Sequence, residues 1–454
     1  MARGHEDEAA GFLAANPEIV QIQAILTDPS GVARGKVLRP EELVPAYRDG
    51  RPLPCSIQSL DILGEDVLET GLVWEEGDSD RPYHPVAGTL THAPWHEVPT
   101  AQFIMESWER DSSATPSDPR HALARVVDKF TAQGLTPVVA IELEFYLIDR
   151  EAALSGKPTP ATAPNGFKPS HLQACLMQDL EDFSGFLNDV YAGAKRMGLP
   201  ARTLISEYAP GQFEIVLAHG ADAMRAADDA ILYKRLVKGM AEKHGYVATF
   251  MAKPYADLSG SGMHVHVSLS DDKNDNLFAG EGNDFGPMLR HAIGGLEQTM
   301  AESMAVFAPN ANSFRRFRKN SYAPLAPAWA VDNRTVPIRV TAGKASSRHL
   351  EHRVCGADAN PYVALATVLA GVAEGLEKKI EPSAPVTGDG YTSQEATLPM
   401  NWWRALEVAR RSDFLKNHLG EGFTNIFLTI KEAECDRFFA AVSDVDFDWY
   451  LRNA

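Results

Sequence analysis

The stretch Gly260-Ser261-Gly262-Met263-His264-Val265-His266-Val267-Ser268-Leu269 constrains the fold more than any other. From Met263 onward it alternates with the period of a β-strand, so His264, His266 and Ser268 share one face and Met263, Val265, Val267 and Leu269 the other. One face belongs to a core, and the other can do chemistry. The Gly-Ser-Gly ahead of it removes side chains where backbone must come close to a ligand or a neighbouring strand. Two imidazoles at i, i+2 suit a metal, or a metal and an anion, and suit two half-buried structural histidines equally well. The pattern alone does not decide between them.

A second strand carries acid in the same way. In Val138-Val139-Ala140-Ile141-Glu142-Leu143-Glu144-Phe145 the alternation sets Glu142 beside Glu144. Two adjacent carboxylates in so apolar a strand repel each other and lose hydration, so they need protons or cations between them. A divalent metal is the ordinary solution; a half-exposed strand glutamate is the plainer reading of each. Glu207 and Glu214 flank Tyr208-Ala209-Pro210-Gly211-Gln212-Phe213, and a turn at Pro210-Gly211 folds both carboxylates toward one point.

Three later segments are rich in arginine: Asn312-Ser313-Phe314-Arg315-Arg316-Phe317-Arg318-Lys319, Asp332-Asn333-Arg334-Thr335-Val336-Pro337-Ile338-Arg339 and Arg348-His349-Leu350-Glu351-His352-Arg353. Arginine suits fixed two-point contact with carboxylate and phosphate. Glu351 and Arg353 again share a face. Carboxylates and a histidine for divalent metal, with arginines for a phosphorylated anion, are the equipment of phosphoryl transfer from a metal-bound nucleotide. No Walker-type phosphate loop or protein-kinase motif set is present, so the nucleotide site is of another kind.

The 454 residues, 44% hydrophobic and 23% charged, read as an ordinary globular protein of more than one domain. A net charge of -18 disfavours nucleic acid and anionic membrane as partners and attracts cationic ligands. The four cysteines show no CxxC spacing, and no signal peptide or membrane span is read, so the expected location is the cytoplasm. Residues 1–17 read as a leader or short helix. Residues 18–112 read as a small mixed domain with a hairpin turning at Asp28-Pro29-Ser30-Gly31, and 113–454 as a large domain built on a sheet. Helices are expected over 121–133, 183–197, 221–244, 362–379, 401–411 and 430–442, the last two closing the chain, with a loop over 151–170. The fold class is α+β.

Taken in order, Glu142-x-Glu144-Phe145, Glu207 with Pro210-Gly211-Gln212-Phe213-Glu214, the 260–266 segment, Asn333-Arg334 with Ile338-Arg339, and Glu351-x-Arg353 followed by Asn360-Pro361-Tyr362 resemble the glutamine synthetase superfamily. The resemblance spans roughly residues 118–380, and the whole chain fits the family's length. It implies an N-terminal β-grasp domain, a catalytic domain with a curved antiparallel sheet flanked by helices, and homo-oligomeric rings, commonly dodecamers of two stacked hexamers with active sites between subunits. It implies two or three Mg²⁺ or Mn²⁺ per site, one held by Glu144, Glu207 and Glu214 and another by Glu142, His264 and Glu351. His266 and Ser268 would lie by ATP, the cosubstrate, with Arg339 on its phosphates. Arg334 would stabilise the transferring phosphoryl group, and Gly260, Arg316 and Arg353 would hold L-glutamate. The implied chemistry forms a γ-glutamyl phosphate that a nitrogen nucleophile then resolves.

Departures from the pattern point to one branch. Ammonia-using members carry a glutamate where this chain has Tyr322 in Ser321-Tyr322-Ala323-Pro324. Their N-terminal Phe-Asp-Gly-Ser-Ser is not recognisable here; the nearest stretch is Cys55-Ser56-Ile57-Gln58-Ser59-Leu60-Asp61. Ser259 replaces the Asn of Asn-Gly-Ser-Gly, and the regulatory tyrosine ahead of Leu398-Pro399 is absent. Without those carboxylates little holds NH₄⁺, whereas an aromatic suits a larger ammonium. The chain therefore looks like the γ-glutamylpolyamine (γ-glutamylputrescine) synthetase branch. The alternatives are a ligase for a monoamine or ethanolamine, a true glutamine synthetase, and an inactive structural or regulatory homologue.

Overall fold

In the computed structural model, which describes residues 5–75, 77–280 and 285–454, the chain builds two sheets that share no strand. The first comprises β1 (Gln21–Thr27), β2 (Ala33–Leu38), β3 (Arg51–Pro54), β4 (Asp80–Pro85), β5 (Thr91–His92) and β6 (Thr100–Ser107), ordered β2-β1-β6-β4-β3 with β5 on β6. β1 and β2 form the expected antiparallel hairpin. Its turn is closed by the Val32 amide donating to Asp28 Oδ1 at 2.8 Å and by Gly31 in the left-handed region. β1 runs parallel to β6 at the centre. Ile22, Ala24 and Leu26 alternate inward against Phe103, Met105 and Tyr47. The helix Glu6–Ala15 buries Ala9 in this same core, so the leader reading fails for those residues and the helical one stands; residues 1–4 lie outside the described part.

The second sheet takes β7 (Thr136–Asp149), β8 (Ala201–Ser206), β9 (Gln212–Leu217), β10 (Tyr246–Thr249), β11 (Met263–Ser270), β12 (Trp329–Val331), β13 (Ile338–Val340) and β14 (Leu350–His352). Their order is β12-β13-β14-β11-β7-β9-β8, with β10 on β7. Pairing is antiparallel except at the edge, where β12 and β13 run parallel. One face is entirely apolar: Val139, Ile141, Leu143 and Phe145 of β7 and Met263, Val265, Val267 and Leu269 of β11 are all fully buried against helices Ala223–Lys243, Pro287–Phe307 and Pro361–Lys378. The polar face of β11 is nearly as enclosed, with His264 and His266 each 7% exposed, because it lines a cavity rather than open solvent.

Helix 361–378 is buried through Gly375, as its small residues predict. Helix Pro287–Phe307 has no counterpart in the sequence reading. Its Gly294-Gly295 lowers intrinsic helicity, yet a Cβ on Gly295 would meet Gly371 O at 2.2 Å and Gly375 N at 2.5 Å. Close packing of two helices therefore requires the residue that propensity disfavours. Helices Trp402–Arg410 and Glu421–Ala440 match the two expected last, but the second begins nine residues earlier than read, and a further helix, Asp444–Tyr450, follows. The loop expected over 151–170 opens with a short helix, Arg150–Leu154.

The sheets meet at the hairpin turn. Asn360, which caps helix 361–378 by accepting from the Tyr362 amide, donates to Asp28 O at 3.1 Å and Pro29 O at 3.2 Å. No helix among the described residues is long and apolar enough to cross a membrane.

Candidate active site

Strand register, not nearness in sequence, assembles the polar cavity. His264 pairs with Glu142, Glu144 with Glu214, His266 with Glu351, and Glu351 with Arg339. Because residues two apart share a face, these pairs run as one diagonal row across four strand interfaces. They line a cavity of about 400 Å³ with Glu207, Gln212, Gly260, Arg316, Tyr322, Arg334 and Arg353. Every residue singled out from the sequence lines it except Ser268, which is buried farther along β11.

Glu207 reaches the cavity through the predicted turn. The Glu207 amide donates to Gln212 O at 2.8 Å, Gln212 N to Ala209 O at 3.0 Å, and Gly211 takes a φ of 71° that suits glycine. Gly260 and Gly262 also have a geometric reason. A Cβ on Gly260 would lie 2.6 Å from Arg316 Cγ, and one on Gly262 2.8 Å from His264 Nε2. The neighbours these glycines admit are the site's own side chains, and the Gly262 amide donates to Glu144 Oε2 at 2.8 Å. Tyr322 sits in left-handed backbone (φ 57°) and is 57% exposed at the mouth.

Donor atoms of Glu142, His264 and Glu351 lie within 4.8 Å of one another, and so do those of Glu144, Glu214 and His264. Glu207 lines the same cavity outside both groups. His264 Nδ1 is 3.4 Å from Glu142 and 3.5 Å from Glu351, and its Nε2 is 3.9 Å from Glu144. Glu351 also receives Arg339 at 2.8 Å and pairs with Arg353.

The carboxylates divide into two sets. Burial pushes Glu214 up to about 10, reinforced by Glu142, Glu144, Glu207 and Glu351. Burial and Glu207 take Glu144 up to about 8, and burial raises Glu207. Burial acts on Glu351 too, but Arg353, His264, His266 and Arg339 outweigh it and bring it down to about 2. Against the same burial, close contact with the His264 and His266 rings holds Glu142 well below the usual carboxylate range. A hard cation with oxygen ligands fits the first set, where Arg316, Arg353 and Arg334 do not offset burial and mutual repulsion; an ion accepting oxygen and imidazole fits around His264.

Gln212 belongs to the site and was not singled out. Its Nε2 donates to Glu144 Oε2 at 3.2 Å and Gly260 O at 3.0 Å, tying the glycine segment to the carboxylates. It shares a strand face with Glu214, so the alternation that selected the glutamate also selects the glutamine. A wider recess of about 730 Å³ among the C-terminal helices is lined by Lys129, Glu302, Glu374 and His418, but Glu374 is already paired with His418 and Lys378.

A family model described as the glutamine synthetase catalytic domain matches residues 116–450. The chain belongs to the glutamine synthetase family. It is 36% identical over 448 residues to the gamma-glutamylputrescine synthetase PuuA of Escherichia coli (strain K12), covering 98% of this chain and 95% of that one. It is 31% identical to a glutamate–isopropylamine ligase of a Pseudomonas species, over 96% and 95% of the two chains. Over 84% and 80%, it is 32% identical to the gamma-glutamylethanolamide synthetase GlnA4 of Streptomyces coelicolor. Two solved structures of GmaS, an ADP complex and a ligand-free form, match with TM-scores of 0.84 at 24% and 25% identity, covering 98% and 97% of this chain and 99% and 98% of theirs. As a glutamine synthetase family member, the chain is an ATP-dependent glutamate–amine ligase, of a family that uses divalent metal ions.

Proposed function

We propose that the amine is a polyamine, such as putrescine or spermidine, joined to the γ-carboxylate of L-glutamate to give a γ-glutamylamide, ADP and phosphate. The observation that carries this reading is the cavity next door. A recess of about 670 Å³ shares Tyr208, Ser259, Ser321 and Tyr322 with the acidic cavity and continues to Tyr391, Asp257 and Asp389. Of its cationic neighbours, Lys253 bonds Leu258 O and Arg318 donates to Ala256 O at 3.2 Å, so these two are turned to carbonyls, while Lys319 is exposed to solvent. Aromatic rings around one ammonium and carboxylates for a second suit a diamine.

Within this reading Glu144, Glu207 and Glu214 hold one divalent ion, and Glu142, His264 and Glu351 another. Such ions supply charge stabilisation for the transferring phosphoryl oxygens. Arg316, Arg353 and Gly260 hold the α-amino acid end of glutamate, with Arg316 braced by donating to Val354 O at 3.1 Å. Arg339 exchanges part of its contact with Glu351 and Asp332 for nucleotide phosphate, beside His266 and Ser268. Arg334, exposed at the rim, reaches the γ-phosphoryl group during transfer, so that a γ-glutamyl phosphate forms and the amine displaces phosphate. Tyr322 covers the amine side.

A homo-oligomer with sites between subunits, as in stacked hexameric rings, is part of the proposal. Phe439, Val442, Phe447, Trp449 and Leu451 are 54–72% exposed at the C-terminal end, an apolar surface of the kind a second subunit covers. Four free cysteines fit a cytoplasmic location. A second reading, a monoamine or ethanolamine substrate, is favoured by the isopropylamine and ethanolamide relatives.

The test is phosphate release from ATP with glutamate and Mg²⁺, run against putrescine, spermidine, ethanolamine, isopropylamine and ammonium. A di- or polyamine is expected to give the highest kcat/KM. Preference for a monoamine or ethanolamine moves the protein to the second reading, and preference for ammonium makes it a glutamine synthetase. No turnover with any amine leaves an inactive homologue.

A further inference from the structure

Beyond the carboxylates, three histidines close on one another. His266 of β11, His349 just ahead of β14 and His219 just after β9 bring ring nitrogens, one from each, within 4.8 Å of one another. Ring centroids are 5.1 Å apart for His266–His349 and His219–His349, and 5.7 Å for His219–His266. The rings are tilted or edge-on, not stacked, so the group is not held together by face-to-face packing.

The hydrogen bonds around them set which nitrogens carry protons. His349 Nδ1 lies 2.8 Å from Ser347 O, and a carbonyl only accepts, so Nδ1 carries the proton and Nε2 keeps its lone pair. His266 Nε2 lies 3.1 Å from Glu142 Oε1 but off hydrogen-bond alignment, and its Nδ1 is likewise buried without a hydrogen-bond partner. In His349 one ring nitrogen is given to a carbonyl while the other stays free, the arrangement that orients imidazole toward a metal. Leaving His266 Nδ1 buried and unpartnered is costly unless something else satisfies it.

We propose that His219, His266 and His349 form a three-imidazole site for a borderline transition-metal ion of the Zn²⁺, Co²⁺ or Ni²⁺ class, distinct from the carboxylate sites. An all-nitrogen donor set discriminates against Mg²⁺, which requires oxygen. Metal–nitrogen bonds of about 2.0–2.1 Å bring tetrahedral donors to about 3.3 Å apart, a closure that rotation of the three rings supplies. Three protein ligands leave one position open. His219, on the exposed side, provides the entry path, and the open position meets water or an anionic oxygen in the cavity. Glu142 links the two kinds of site, since it contacts both His264 and His266. The site does not depend on which amine the enzyme uses.

The test titrates Co²⁺ into metal-free enzyme at saturating Mg²⁺, reading the visible d–d absorption of four-coordinate Co²⁺ and its displacement by Zn²⁺. One equivalent per chain is expected. His219→Gln and His349→Gln should each weaken it by about 100-fold or more, past the 10–100-fold loss that outer partners cause, while Glu214→Gln leaves the spectrum unchanged. His219 is exposed, so its variant is expected to keep the native circular dichroism, which makes a lost signal interpretable. Absorption that survives in both histidine variants, or disappears in Glu214→Gln, overturns the proposal, as does binding of no Co²⁺ beyond what Mg²⁺ competes away.

Discussion

Glu142 and Glu144 stand two residues apart on one face of one strand, and the protein treats them oppositely. Glu142 and Glu351 form an end of the cavity where Arg339 and Arg353 pair with Glu351 and the His264 and His266 rings lie against Glu142. Glu144, Glu207 and Glu214 form an end where burial and mutual repulsion dominate. Burial disfavours charge at both, so the difference lies in the neighbours that register supplies. The compensated end is built to persist in the free protein. Its counterpart holds protons in the free protein, and in the proposed function it exchanges them for a cation.

The largest expected effect breaks the uncompensated end. Glu144→Ala or Glu214→Ala removes an oxygen donor worth several kcal/mol of transition-state charge stabilisation, about 10³-fold or more in kcat/KM. Phosphate release measured on folded variants checks this, and a variant retaining most activity removes that residue from the metal assignment.

Next comes stability in the metal-free protein, where the two ends should respond with opposite sign. Glu351→Gln strands Arg339 and Arg353 and should destabilise by about 3–5 kcal/mol, the cost of breaking a buried pair from one side. Glu214→Gln replaces a carboxyl that already holds its proton with a neutral isostere and should be neutral or stabilising. Chemical denaturation of both variants without divalent metal compares them directly; equal losses would erase the distinction.

A pH series sharpens it. Glu214 and Glu144 rise from an ordinary 4.5 to about 10 and about 8, so the folded metal-free protein binds protons that the unfolded chain releases, and its stability falls as pH rises above about 4.5. Glu351, lowered to about 2, adds stability above 4.5 that is lost as pH falls toward 2. The Tm of metal-free protein should therefore decline between about pH 5 and 8, and Mg²⁺ should raise Tm more at the alkaline end, releasing protons as it binds. A flat profile contradicts the proton-holding end.

The smallest effect lies at the mouth. Tyr322→Glu should raise the ammonia-to-amine ratio of kcat/KM by roughly 2- to 30-fold, the range of a cation–π contact of about 0.5–2 kcal/mol exchanged for a carboxylate. An unchanged ratio would show that Tyr322 does not discriminate between nucleophiles.

Much of this was legible without coordinates. Period-two alternation located β7 and β11 and chose the faces of Glu142, Glu144, His264 and His266, because side-chain direction along a strand depends only on parity. The Pro210-Gly211 turn was legible because it rests on two residue types with narrow backbone preferences. Gln212 was passed over although the same parity selects it. The start of helix Glu421–Ala440 was hidden by Gly422, Thr424 and Phe423, poor helix formers, until Phe423 and Phe427, rings 6.0 Å apart, are seen buried together. Helix Pro287–Phe307 was hidden by the glycines that its packing demands.

What the sequence by itself determined is therefore local: which strands exist, which face of each is polar, where tight turns fall, and the ordered motifs that mark the glutamine synthetase family. What tertiary structure alone decided is which polar faces meet. A one-residue slip of β14 against β11 would take Glu351 out of register with His266, and nothing within either strand specifies that register. Charge state followed the same rule. Glu142 and Glu144 are the same residue type on the same face, and only the groups brought across from other strands make one a compensated carboxylate and the other a proton-holding one, the proposed seat for a cation.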